Sequence, residues 1–338
     1  MEFLLVLAVL AALGFTFVNG FHDMGVTVAN AVSARALEPR AALWLTVSFN
    51  FIGALIGQSL AVVFADYIVE FPAAAENTLL IISVGLIAGG FFNVLTYLWR
   101  MPVSSTHCMI GGLLGAGLTL GGHVEVGNFA QEILAPLLIA PILAFAFSFV
   151  LMAVVSRFVG SEAPKPLYRM ARTVDSVLAG GLALAHGVQS AGKTAALVLV
   201  ALMTYTAGHG VNPSELTIPW WLRIVLAVVL AAGTARSGWR IVHMLGRTMT
   251  RMDPVRSLVS DITSTSYLLM AAFFQSVPAS LSYTVTAANL GTQFIGGRTG
   301  VRMRYAIPVL ATWVLCIPIC MVIAAVPGVL LHTFVLHR

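Results

Sequence analysis

Long apolar stretches separated by short charge-bearing breaks dominate this chain and fix its solvent. They run at roughly 3–38, 41–64, 78–99, 104–120, 132–156, 174–206, 219–236, 257–275, 284–297 and 305–331 of the 338 residues. About 20 apolar residues in a helix match the ~30 Å hydrocarbon core of a bilayer. Only 9% of the residues are charged and mean hydropathy is +0.94, whereas soluble domains carry about 25% charge. The lipid bilayer is the expected partner of most of the surface, and the expected fold is an all-α polytopic membrane protein. A water-soluble enzyme is disfavoured on the same grounds. No Walker loop, strand-linked GxGxxG, HExxH or Ser-His-Asp arrangement is placed in the chain, so neither an enzyme nor a cofactor is expected.

Segment lengths refine this picture. At 1.5 Å per residue, 3–38 would reach about 54 Å, so a break, strong tilt or re-entrant turn is expected there and in 174–206. The stretches 104–120 and 284–297 are short and read as hairpin-like or broken elements. Met1-Glu2 precede the first stretch without a basic region or a small-residue cleavage site, so it reads as a retained span. Cys108, Cys316 and Cys320 lie in apolar runs, and an odd number there argues against a disulfide framework. Cys316 and Cys320 are one turn apart without histidine or carboxylate company, so no metal site is expected.

Charge placement gives orientation. Arg35 and Arg40, Arg100, and the loops Arg157–Arg172, Arg236–Arg256 and Arg298–Arg304 hold 15 of the 18 basic residues. The alternate loops hold Asp66, Glu70, Glu76, Glu125, Glu132 and Glu215. By the positive-inside rule, this fits ten crossings in the cell membrane with both termini outside. The arginine-rich 236–256 segment follows the same pattern without aromatic interleaving, so nucleic acid is not an expected partner.

The chain repeats itself. Gly20-Phe21-His22-Asp23 has a counterpart in Gly187-Val188-Gln189-Ser190, and Pro102-Val103-Ser104-Ser105-Thr106-His107 in Pro278-Ala279-Ser280-Leu281-Ser282-Tyr283. The offsets, 167 and 176 residues, are close to half the chain. Two halves of five crossings each enter the membrane in opposite senses, the inverted-repeat arrangement of secondary transporters, whose sites lie at the midplane between halves. The expected organisation is a first repeat over 1–160, a cytoplasmic linker over 161–172 and a second, inverted repeat over 173–338.

Polar islands in the apolar runs are the candidate site. Asp23 is the one carboxylate placed securely inside a span, where a charge costs at least about 2.5–3.5 kcal/mol and marks function by default; a structural tie to Lys193 or an arginine is the alternative. Pro102–His107 places a proline and hydroxyl residues at the start of an apolar run, as at a helix N-terminus. Backbone N–H groups and the helix dipole there favour oxyanions, although an ordinary Ser/Thr cap reads the same way. Its repetition at Pro278–Tyr283 favours the anion site. Lys193 either balances a bound anion or snorkels to an interface. His22 and His186 read more readily as hydrogen-bonded structural histidines than as proton relays. Asp261 is either a helix-start charge or a site member.

These residues resemble a known family. Asn19-Gly20-Phe21-His22-Asp23, followed by Ser33-Ala34-Arg35-Ala36-Leu37-Glu38-Pro39-Arg40, resembles the first signature of the inorganic phosphate transporter (PiT) family. Pro102–His107 with Ile110-Gly111-Gly112 resembles its serine/threonine loop. Ala185-His186-Gly187 through Lys193-Thr194, Gly238-Trp239-Arg240-Ile241-Val242 and Met252-Asp253-Pro254 resemble its second half. The resemblance implies an inverted-repeat permease moving inorganic phosphate with sodium, protons or as a metal–phosphate complex, and a homodimer. The departures matter as much. Val26 replaces an asparagine of the first signature. His186-Gly187-Val188-Gln189-Ser190-Ala191-Gly192-Lys193 stands where the family has His-Gly-Ser-Asn-Asp-Ala-Gln-Lys, and Asp261 stands for a glutamate.

The resulting expectation assigns the oxyanion to Ser104, Ser105, Thr106, Ser280, Ser282, Thr284 and Lys193. The coupling ion or proton is assigned to Asp23, with His22, Gln189, Ser190 and Asp261. Loss of one carboxylate and two amides is expected to weaken Na+ coordination, which leaves H+ as the favoured coupling ion. The alternatives are a permease for sulfate or another oxyanion, and a transport-inactive anion-binding sensor or partner subunit.

Overall fold

The computed structural model describes residues 1–57, 74–123, 127, 129–159, 164–207, 218–275, 279–295 and 300–333. Asp66, Glu70, Glu125, Glu215, Arg298 and Pro278 lie outside the described residues, as do the ends of the 41–64 and 284–297 stretches.

The first five helices are α1 (Glu2–Ser33), α2 (Pro39–Ile56), α3 (Ala75–Leu98), α4 (Ser105–Thr119) and α5 (Ala135–Val159), the last entered through a π-helical turn. Then come α6 (Lys165–Ala207), α7 (Trp220–Arg236) and α8 (Arg240–His243), which continues as a π-helical segment to Met249. The chain ends in α9 (Pro254–Met270), α10 (Leu281–Phe294) and α11 (Met303–Leu331). Local chemistry sets several starts. Pro39 and Pro254 occupy the first turns of α2 and α9, where the missing N–H costs nothing. Asp253 caps α9 by accepting from the N–H groups of Val255 at 2.9 Å and Arg256 at 3.1 Å.

Among the described residues, six helices are long and apolar enough to cross a membrane, or seven if α7 and α8, bent by 59° at their junction, form one broken span. The other segments of the ten-crossing expectation are shorter or more polar helices, or lie partly outside the described residues. With 15 and 14 residues, α4 and α10 reach only about 22 Å, and the apolar pattern of the continuous α9 is interrupted by Asp261 and several Ser and Thr. Of the break, strong tilt or re-entrant turn expected in the two longest stretches, the helices observed fit tilt. Both α1, with 32 residues, and α6, with 43, run as continuous helices. Lys165 to Arg172, expected in a linker, form the first turns of α6.

The polarity is that of a membrane protein. Phe3, Ile142, Phe158, Val314 and Val322 are exposed, while Asp23, His22, His186, Asn30, Asn50, Lys193, Asp175 and Asp261 are buried. Lipid tolerates the first set and excludes the second.

Packing exposes the repeat. Helices α1, α2, α3, α4 and α5 correspond in order to α6, α7, α9, α10 and α11. Within halves, α1 packs on α3 and α6 on α9, while α4 follows α3 and α10 follows α9 in contact. Across halves the partners exchange: α1 packs on α7 and α2 on α6, α4 on α11 and α10 on α5. Glycines make two of these crossings close. A Cβ on Gly20 would strike the Leu230 carbonyl, and one on Gly233 the Phe17 carbonyl. Gly53 and Gly187 stand in the same reciprocal relation to the carbonyls of Leu184 and Asn50. Small residues allow this backbone approach in lipid, where helix association depends on van der Waals contact.

Candidate functional site

The two short helices begin alike. Ser104 caps α4, its hydroxyl accepting from the His107 N–H at 3.2 Å and contacting His107 Nδ1 at 2.8 Å. Ser280 caps α10 by accepting from the Tyr283 N–H at 3.3 Å. Both starts line one small cavity with a volume of about 20 Å³, little more than one water needs. Ser104, Ser105 and Thr106 face it from one half, with Ala279, Ser280 and Leu281 from the other. Asn19 and Asp23 of α1 and His186, Gln189, Ser190 and Lys193 of α6 complete the wall. The midpoints of the two longest buried helices therefore meet two helix N-termini.

Lys193 bridges the halves. Its Nζ donates to Thr106 Oγ1 at 2.8 Å and to the Ala279 carbonyl at 2.9 Å. Gln189 Oε1 accepts from the Ala279 N–H at 3.4 Å. The site is thus closed around its own lysine, with orphan helix N–H groups and a cation on one side and a carboxylate on the other.

Asp23 draws donors from both repeats. Ser105 Oγ donates to its Oδ2 at 3.1 Å and Ser282 Oγ to its Oδ1 at 3.0 Å. His22 Nδ1 lies 2.8 Å from Oδ1, and His186 Nε2 lies 3.4 Å from Oδ2. His186 is oriented by Asn50, whose Oδ1 is 2.9 Å from Nδ1 and whose Nδ2 donates to Thr234 Oγ1 at 2.9 Å. Because Asn50 Nδ2 is committed to Thr234, Asn50 Oδ1 is left to accept, and the His186 proton is assigned to Nδ1. Nε2 then faces Asp23 Oδ2 and has no hydrogen-bond partner among the described residues.

The sequence-based set divides in space. Ser104, Ser105, Thr106, Ser280, Lys193, Asp23, Gln189 and Ser190 surround the cavity. Ser282 lies behind its wall on Asp23, while Thr284 is buried further along α10 with no partner for its hydroxyl among the described residues. Asp261 belongs to a second cluster. Its Oδ1 accepts from Asn30 Nδ2 at 2.6 Å, and Asn30 and Asn289 exchange amide hydrogen bonds at 2.8 and 2.9 Å. Asp175 lies against it, its Oδ2 accepting from Ser257 Oγ at 2.6 Å. Sequence reasoning missed Asp175, left Asn19 without a role beside Asp23, and underrated His186. The interrupted apolar pattern Ala185-His186-Gly187 was the available signal for the last.

A repeated helical membrane protein with two opposed helix N-termini at a buried, charged midpoint is built as a transporter. The model of the phosphate transporter family matches residues 19–176 and again 161–324, so the chain belongs to that family. It is 30% identical over 331 residues to a "probable low-affinity inorganic phosphate transporter" of Bacillus subtilis (strain 168), covering 97% of both chains. A protein of the same description from Mycobacterium leprae (strain TN) is 30% identical, over 98% of this chain and 78% of its own. Among solved structures, "The sodium-dependent phosphate transporter" superposes with a TM-score of 0.85 over 99% of this chain and 100% of its own. At 18% identity, that likeness speaks for the fold.

Proposed function

We propose that the chain is a permease for inorganic phosphate, holding the anion between the N-termini of α4 and α10. The observation that carries this reading is the convergence of Ser104–Thr106 and Ala279–Leu281 on one buried cavity beside Lys193. Helix N–H groups and an ammonium replace the hydration shell of a tetrahedral oxyanion. Lys193, released from Thr106 and the Ala279 carbonyl, turns those donors toward the ligand.

Asp23 separates phosphate from sulfate. Near neutral pH, phosphate keeps a P–OH group that donates to a carboxylate oxygen, whereas sulfate has no proton to give and meets only repulsion. The repeats, related by exchange packing, supply an alternating motion in which the two short helices part toward one side and then the other. The inverted sense of the halves and both termini outside follow the charge pattern of the loops.

The coupling ion in this reading is a proton shared between Asp23 and His186. His186 Nε2 and Asp23 Oδ2 face each other at 3.4 Å, and one proton between them makes that contact a hydrogen bond. His22, Gln189 and Ser190 orient that centre. Asp261 is a second buried carboxyl, linked through Asn30 of α1 to the same helix.

Purified protein in liposomes, loaded without phosphate and offered radiolabelled phosphate, tests the reading. Saturable uptake that sulfate competes for weakly supports it. Uptake of sulfate in preference to phosphate would make the protein a permease for a different oxyanion, and binding without flux would make it a sensor.

A further inference from the structure

The three cysteines of this chain, far apart in sequence, meet at one point behind the anion helix. Cys108 of α4 has its Sγ 3.3 Å from that of Cys316 on α11, and all three sulfurs, with that of Cys320, lie within 4.8 Å of one another. None is exposed to solvent and none is in a disulfide. Sequence reasoning expected no metal there, because Cys316 and Cys320 have no histidine or carboxylate company; the fold brings in a third sulfur.

We propose that Cys108, Cys316 and Cys320 form a three-sulfur binding site for a thiophilic ion, and that its occupation arrests transport. Metal–sulfur bonds of about 2.3 Å place three equatorial sulfurs roughly 4 Å apart, within the spread already present. Three soft thiol ligands with no imidazole or carboxylate among them select soft ions.

Charge balance narrows the class. The cluster packs against Phe92, Val103 and Ile323, and the polar side chains beside it carry no charge: Asn93 Oδ1 accepts from Cys108 Sγ at 3.6 Å, and Tyr283 faces the same three thiols. Three thiolates around a monovalent ion leave two negative charges in this apolar shell, and a divalent ion leaves one. A trivalent centre leaves none, so it avoids the cost of burying unpaired charge. Trivalent arsenic also needs no fourth ligand. Arsenous acid, As(OH)3, enters as a neutral molecule; three As–S bonds form, three As–O bonds break, and each thiol proton leaves with a hydroxide as water. No electrons move. The approach is the apolar recess of about 880 Å³ whose wall includes His107 and Ile317, the chain neighbours of Cys108 and Cys316.

The consequence follows from placement. Cys108 is one residue past His107, which holds the Ser104 cap, while Cys316 and Cys320 belong to the outer helix of the other repeat. An ion across the three sulfurs locks α4 to α11. Binding stands on the sulfur geometry alone; the arrest rests on the proposed transport function.

The test uses the full-length protein, reduced, with arsenite as the probe. Elemental analysis after gel filtration should find one arsenic per chain, and X-ray absorption should find three sulfur neighbours. Binding should weaken at least 100-fold in Cys316→Ala and in Cys320→Ala, and equimolar Zn2+ should not displace it. Arsenite should slow phosphate uptake into liposomes at least tenfold in wild type and leave Cys316→Ala unaffected. Absence of bound arsenic, two sulfur neighbours, or equal binding by the variants would overturn the site. Three-sulfur binding with unaltered flux would overturn the arrest alone. Absence of flux in every protein would instead count against the transport reading, which the binding measurements do not touch.

Discussion

Lys193 of α6 donates to Thr106 of α4 at 2.8 Å, so a lysine of the second repeat is held against a helix N-terminus of the first. Both groups are buried. In Lys193→Met, the helix N-termini remain but the ammonium is gone. The KM for phosphate should rise about 10- to 100-fold, the range of a charge-assisted hydrogen bond of about 1.5–3 kcal/mol. Uptake kinetics measure it, and Lys193→Arg should recover only part of the loss because a planar fork does not replace a point charge.

The Ser104 and Ser280 caps are equivalent in the two halves, and their removal should have equivalent effects. Ser104→Ala and Ser280→Ala should each cost about 1 kcal/mol of stability and weaken phosphate binding. Thermal melting in detergent with and without phosphate reads both quantities. A large effect at one cap and none at the other would contradict a site shared between repeats.

In the proposed permease, Asp23 discriminates against sulfate. Asp23→Asn keeps the size of the side chain but replaces one acceptor oxygen with an N–H donor, which welcomes a fully ionised anion. Sulfate should become a better competitor for phosphate binding by about tenfold, the value of roughly 1.4 kcal/mol in hydrogen bonding. Equilibrium competition on purified protein decides it.

Gly20 and Gly233 set how closely α1 and α7 pack. A Cβ at either position meets a partner carbonyl within bonding-clash distance. Gly20→Val should destabilise the fold by about 1–3 kcal/mol through overpacking, seen as a lower melting temperature. Gly14, whose added Cβ meets nothing, serves as the control, and Gly14→Ala should melt as wild type does.

Much of this was readable in the chain because local chemistry and the repeat report themselves. The Pro-Ser pattern at 102–107 and its degenerate copy at 278–283 announced two capped helices, and the fold places both at the site. What stayed hidden depends on which helix packs against which. His186 reads like any histidine on an apolar face until α6 lies against α1 and brings it to Asp23. Asp175 sits at the edge of an apolar stretch, and only the contact of α6 with α9 pairs it with Asp261. Ser282 has the residue type of an anion ligand, yet the turn of α10 points its hydroxyl at a carboxylate. Segment length left a choice that only the fold narrows. The 3–38 stretch exceeds a bilayer, and of a break, a tilt or a re-entrant turn, the continuous α1 fits tilt.

The central claim is that one proton, held between Asp23 and His186, accompanies phosphate through the cavity between α4 and α10. Phosphate accumulation in proteoliposomes, driven separately by an inward proton gradient and an inward sodium gradient, tests it most directly. The account predicts accumulation with the proton gradient in wild type, its loss in Asp23→Asn and His186→Gln, and no response to sodium. Sodium-driven accumulation that disappears in Asp23→Asn would contradict it.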